Sequence, residues 1–114
     1  MSDCLFCKMG RGEIPVTKVH DDGEIFAIPD INPQAPVHIL IIPHRHVATI
    51  LEFSPNDHPL VGRIYDVAAR IAREQGFDRN GYRVVANCNS DAGQTVFHVH
   101  FHLLAGRTME WPPG

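Results

Sequence analysis

The chain has 114 residues, 44% of them hydrophobic and 20% charged, and a formal net charge of −3. That length suits one domain over residues 1–114, small enough for a partner subunit to help bury apolar surface. The mixed charge excludes a basic footprint for nucleic acid, no apolar run reaches the roughly 20 residues of a membrane span, and an odd count of three cysteines behind a leaderless N-terminus argues against a secreted disulfide framework, so a cytoplasmic protein without nucleic-acid or membrane partners is expected.

In chain order, residues 4–12 read as a short helix closed by a glycine turn. Residues 16–20 and 24–28 read as strands, with Asp21-Asp22-Gly23 as the tight turn between them. Pro33 and Pro36 make residues 30–37 a loop. The run "HILII", residues 38–42, is apolar, β-branched and bounded by prolines, which suits a buried central strand. Ser54 then offers an N-cap, Pro55 the first helical position and Asp57 a first-turn carboxylate. Leu60, Ile64, Val67, Ala68 and Ile71 follow on one face of a long helix, and Gly76 ends it. Residues 82–88 are a strand, 89–94 a loop and 96–104 the last strand. This order predicts an α+β fold with a largely antiparallel sheet.

The last strand carries the chemistry. Side chains alternate along "FHVHFHLL", so Phe97, Val99, Phe101 and Leu103 are expected to face the core, and His98, His100 and His102 the other side. Thr, Lys or Glu would serve a merely solvated face equally well. A single metal clamp is awkward, because the outer two histidines of such a strand stand about 13 Å apart, against a Zn–N distance of about 2.0–2.1 Å. Two of them could share an ion with a ligand from elsewhere. Imidazole is also a nucleophile and proton carrier near neutral pH, so one histidine could attack phosphorus while its neighbours hold phosphate oxygens. Ahead of the triplet, Gly93 permits close backbone approach, Gln94 and Thr95 add polar groups, and Asn87 and Asn89 add polarity at the end of the neighbouring strand.

With "HVHFHLL" reading as His-φ-His-φ-His-φ-φ and "NSDAGQTVF" as a Gly-Gln-Ser/Thr lead-in, the sequence resembles the histidine triad (HIT) superfamily. "FCKMGRGEIP", "DINPQAPVHILIIPHRH", "GYRVVANC" and the terminal "WPPG" resemble its Hint branch, so the likeness covers nearly the whole chain. The resemblance implies a HIT fold: a five-stranded, mainly antiparallel sheet with one long and one short helix. It also implies a homodimer with one continuous ten-stranded sheet. The implied activity is that of a purine nucleoside phosphoramidase or nucleotide-binding protein, taking AMP- or GMP-like ligands and needing no cofactor for its chemistry. His100 would attack the α-phosphorus of a nucleoside 5′-phosphoramidate and form a nucleotidyl-histidine. His98 and His102, with Asn87, Gly93, Gln94 and Thr95, would hold the phosphate. Phe6, Met9, Ile14, Phe26, Ile28 and Ile31 would sandwich the base, Asp30 would accept from the ribose hydroxyls, and Trp111 would reach toward the partner subunit's site. Met9, Pro29 and Thr95 stand where the branch more often has Ile, His and Ser.

Cys4 and Cys7 form Cys-x-x-Cys with no second pair. Two cysteines and two distant histidines can close a tetrahedral zinc site. Some bacterial HIT proteins hold zinc in this way, and the matching histidines are His46 and His98. The resemblance therefore implies a structural zinc on Cys4, Cys7, His46 and His98. His98 is then contested between phosphate and metal, and as a ligand it would brace the strand that carries His100. Cys88 is read as a small core residue, His38 and His44 as surface or loop histidines, and His20 and His58 as ordinary ones. Two other readings stay open: a nucleotide-binding or protein-interaction module with little turnover, and a zinc hydrolase that uses the triad as ligands.

Overall fold

The computed structural model describes residues 3–114. Leu5–Gly10 form a short helix, α1, capped by Cys4, whose sulfur accepts from the Cys7 N–H. His20–Asp21 (β1) and Ile25–Pro29 (β2) flank the Asp21-Asp22-Gly23 turn. There Gly23 takes φ 85° and both Asp carboxylates accept from the backbone N–H groups that follow. Val37–Pro43 (β3) is buried along nearly its whole length. Ser54 and Asp57 cap each other around the turn Pro55–Asp57, which leads into α2, His58–Gln75. Gly76 ends that helix at φ 82°. Tyr82–Val85 (β4) and Phe101–Ala105 (β5) complete an antiparallel sheet in the order β1-β2-β3-β5-β4.

The register sorts the sheet into two faces. Ile25, Ala27, Ile39, Ile41, Phe101 and Leu103 share one core with Leu60, Ile64, Val67, Ala68 and Ile71 of α2. The opposite face carries Phe26, Ile28, Leu40 and Ile42 with Phe6 of α1. It continues through the Leu40–His102 and His102–Val85 pairs. β2 and β3 are covered on both sides, which is why they read as unbroken apolar runs. Each large aliphatic side chain fully buried in this way contributes roughly 1.5–3 kcal/mol.

Several boundaries differ from the sequence expectation. The first strand is confined to His20–Asp21, and Val16 leans instead on the α1-side cluster. β4 ends at Val85 rather than at residue 88, and Cys88 is half-buried rather than in the core. β5 begins only at Phe101, so residues 96–100 join no ladder. The β3–β5 pairing stops at Ile41–Phe101, and Pro43 beyond it has no N–H with which to continue. Phe97, expected in the core, leaves it for the same reason and is 47% exposed.

Candidate active site

Off the ladder, residues 94–100 hang on the loop of residues 43–49. Val99 N–H donates to the Val47 carbonyl at 2.7 Å, Gln94 Nε2 to the Ala48 carbonyl at 2.9 Å, and His98 Nε2–H to the Pro43 carbonyl at 2.7 Å. Arg45 pairs with Asp57, which ties the same loop to the start of α2.

A carbonyl can only accept, so the neutral His98 carries its proton on Nε2 and keeps a lone pair on Nδ1. Burial pushes the His98 pKa down, which favours that neutral form. Its Nδ1 meets Cys4 Sγ at 3.2 Å, Cys7 Sγ at 3.5 Å and His46 Nδ1 at 3.2 Å; Cys7 Sγ lies 3.5 Å from His46 Nδ1. A zinc tetrahedron built from Zn–N of about 2.0–2.1 Å and Zn–S of about 2.3 Å has nitrogen–nitrogen edges of about 3.3 Å and nitrogen–sulfur edges of about 3.6 Å. These four groups could hold a tetrahedral metal ion with little movement. Burial first, then the neighbouring Cys4, pushes the Cys7 thiol up; a cation between the sulfurs would reverse that sign.

His98 is fully buried and both its ring nitrogens are engaged, so the expectation that it touches phosphate is corrected. Its contribution to the site is its carbonyl. His100 Nδ1–H donates to that oxygen at 2.8 Å, which leaves His100 Nε2 as a free lone pair. Phe6 meets the His98 and His100 rings edge-on, with centroids 5.9 Å and 5.1 Å away. The His102 ring lies beside His100 at 5.1 Å. Burial first, then the charges of His100 and His38, hold the His102 pKa down at about 4, so this ring is neutral near pH 7.

His38 is the residue the sequence reading missed. Expected at the surface, it is only 8% exposed. The Gln34 N–H donates to its Nδ1 at 3.0 Å, which puts the His38 proton on Nε2. That nitrogen lies 2.9 Å from His102 Nδ1 and 3.4 Å from Asp30 Oδ2. His102 Nδ1 therefore accepts, and its remaining nitrogen, Nε2, carries a hydrogen. The available signal was a histidine heading the most apolar run in the chain. Asp30, His38 and His102 also converge as a metal site would. Yet a His38 with hydrogen on Nε2 has no lone pair there, so of the two clusters only the cysteine-containing one presents ligands.

The other expected residues divide. Thr95 is exposed and Asn87 half-buried. Gly93 takes φ 88°. Gln94, expected to touch substrate, is corrected: its Oε1 accepts from the Asn89 N–H, and its Nε2 donates to the Ala48 and Val96 carbonyls. Phe6, Met9 and Ile28 belong to the α1-side cluster, as does Phe26, which has no exposed surface and so cannot stack on a base. Ile14 is half-buried and Ile31 fully exposed. Asp30 Oδ1 accepts from the Asn32 N–H at 2.8 Å. Trp111 is exposed, beside a cleft of about 340 Å³ lined by Arg83, Val85, Leu104 and Pro112. Val85 and Leu104 lie on the His102 face of the sheet. His44 bonds Asp21 at 2.8 Å and His20 bonds Asp22 at 3.0 Å, away from the triad.

Residues 11–109, most of the chain, match the HIT domain. The chain belongs to the HIT family. It is 43% identical over 107 residues to the purine nucleoside phosphoramidase of Escherichia coli K12, covering 94% of this chain and 90% of that one. It is 44% identical over 112 residues to a HIT-like protein of Synechococcus elongatus, covering 98% and 97%. Among solved structures, a HIT family hydrolase from Legionella pneumophila aligns with a TM-score of 0.96 at 51% identity, covering 98% of this chain and 100% of that one. A histidine triad protein from Clostridium difficile aligns at 0.93 with 44% identity, covering 96% of each. The HIT fold expected from the triplet is thus the observed one. No helix among the described residues is long and apolar enough to cross a membrane.

Proposed function

We propose that this HIT protein hydrolyses the P–N bond of purine nucleoside 5′-phosphoramidates, with His100 as nucleophile. One observation carries the reading. His100 commits its Nδ1–H to the His98 carbonyl and keeps Nε2 free beside a neutral His102. The 43% identity to a purine nucleoside phosphoramidase supports the substrate class.

In the first step His100 Nε2 attacks the α-phosphorus. The P–Nε2 bond forms as the P–N bond to the amine breaks, and the amine leaves with a proton from solvent. The ring becomes cationic, and its Nδ1–H bond to the His98 carbonyl strengthens as it charges. His102, oriented by His38, donates Nε2–H to a non-bridging oxygen, while Thr95 and Asn87 add donors to the phosphate. In the second step water attacks phosphorus, the P–Nε2 bond breaks, and the water's spare proton returns to solvent. Nucleoside monophosphate leaves and His100 is restored. Neither step calls for a cofactor.

In the same reading Cys4, Cys7, His46 and His98 hold a structural zinc. Bound there, it would tie α1, the 43–49 loop and the segment carrying His100 into one unit. β4 is an edge strand; two copies pair through it into a ten-stranded sheet, with Trp111 reaching the partner's site. The protein works in the cytoplasm on AMP- or GMP-like ligands.

The test is release of amine and AMP from adenosine 5′-phosphoramidate. Wild-type protein turns over, whereas His100→Ala binds AMP within a few-fold of wild type and does not. Steady-state turnover by pure His100→Ala protein would refute the assignment. Tight AMP binding by wild type without turnover would favour a binding module instead.

A further inference from the structure

We propose that Gln94 is a positioning residue for this reaction. It holds Asn89 in a backbone conformation that glycine alone adopts freely, and so sets how the chain passes from Asn87 to Thr95. The inference rests on the hydrolase reading above.

Asn89 has φ 67° and ψ −173°. Asparagine tolerates the left-handed helical well, near ψ of about +47°. At ψ −173° Asn89 lies outside that well, in a region that is essentially glycine's. Such a residue persists only where its surroundings over-determine it. Here one residue grips it from both sides. Gln94 Oε1 accepts from the Asn89 N–H at 2.9 Å, and the Gln94 N–H donates to the Asn89 carbonyl at 3.0 Å.

Gln94 is itself anchored. It is only 6% exposed, and its Nε2 donates to the Ala48 carbonyl at 2.9 Å and to the Val96 carbonyl at 3.1 Å. Its carboxamide thus joins the strained turn to the same 43–49 loop that orients His98. The two ends of the clamped loop are Asn87 and Thr95, the polar residues assigned to phosphate. Releasing the clamp lets Asn89 relax toward an ordinary conformation and swings those ends relative to His100.

A double-mutant cycle separates this role from that of a merely buried amide. Gln94→Leu keeps the volume and removes the side-chain bonds. On adenosine 5′-phosphoramidate it lowers kcat about 30-fold, within the range set by the strain that Asn89 releases when the clamp is lost, and changes KM less than about 3-fold. In an Asn89→Gly background the same replacement costs less than about 3-fold, because glycine holds this conformation unaided. Equal losses in the two backgrounds overturn the proposal. Two readouts need no turnover. Exchange of the Asn89 amide hydrogen speeds up at least about 10-fold in Gln94→Leu, and Asn89→Gly alone raises Tm by about 3 °C or more. If Gln94→Leu does not fold, an Asn89→Gly protein no more stable than wild type overturns the proposal by itself. If wild type shows no turnover, the hydrolase reading fails, and exchange and Tm still decide whether Gln94 clamps Asn89.

Discussion

Replacing His38 by Phe should slow turnover while leaving the fold intact. His102 Nδ1 would lose its 2.9 Å donor, and the Gln34 N–H its acceptor. A buried polar atom left unpaired costs about 1–3 kcal/mol. The neutral His102 ring can relieve this by moving its proton to Nδ1, but then Nε2 has no hydrogen for a phosphoryl oxygen. Either way the transition state loses about that much, which is a fall of about 5- to 150-fold in kcat. KM should move less, because in this scheme His38 acts through His102 and not on the ligand. His38→Gln can place an amide N–H near the position of Nε2, and should recover at least about tenfold of what Phe loses when the fall is at the upper end. Steady-state kinetics of wild type and both variants at about pH 7 measures kcat and KM together. A folded His38→Phe protein with kcat within about twofold of wild type would refute the relay.

The metal assignment is checked by elemental analysis of protein purified without an affinity tag. About one zinc per chain is expected, and Cys7→Ser should lose it and lower Tm by about 10 °C or more; metal-free wild type with unchanged Tm sinks the assignment. Stability should also fall with acid. His102 is neutral in the fold down to about pH 4 and titrates near 6.5 when unfolded, so its contribution is complete above about 6.5 and lost as pH falls toward 4. The shift corresponds to roughly 3 kcal/mol, and partial solvent screening reduces it to about 2. Urea midpoints against pH, for wild type and His102→Phe, measure it; parallel curves between pH 6.5 and 4 would contradict it.

The helix α2 and the strands β2 and β3 were readable because their signals are local: a capped 3.6-residue stripe, and two apolar runs between turns. The start of β5 was not. "FHVHFHLL" alternates without a break, yet the ladder begins at Phe101 because of Pro43 on the neighbouring strand. The same alternation sets all three histidines on one face, although leaving the ladder turns His98 into a fully buried residue. His38 depends on a partner 64 residues away and on one N–H at Gln34, neither of which a local pattern records. Gln94 had the right chemistry for a ligand contact, and only the positions of Asn89 and Ala48 show that its amide is already used.

Backbone atoms, not carboxylates, set the protons of this site. The Pro43 carbonyl fixes His98, the His98 carbonyl fixes His100, and the Gln34 N–H fixes His38 and through it His102. In a Ser-His-Asp site the carboxylate stabilises an imidazolium that later gives its proton away. A nucleophilic histidine has a different need. Once phosphorylated, it must leave again when water attacks, and a cationic imidazole leaves more readily than a neutral one. A neutral carbonyl on Nδ1 orients the ring and lets it keep its charge. A carboxylate there could take the proton and strand the intermediate. Among the described residues no carboxylate bonds the His100 ring, and the bond it makes instead suits a nucleophile that has to become a leaving group.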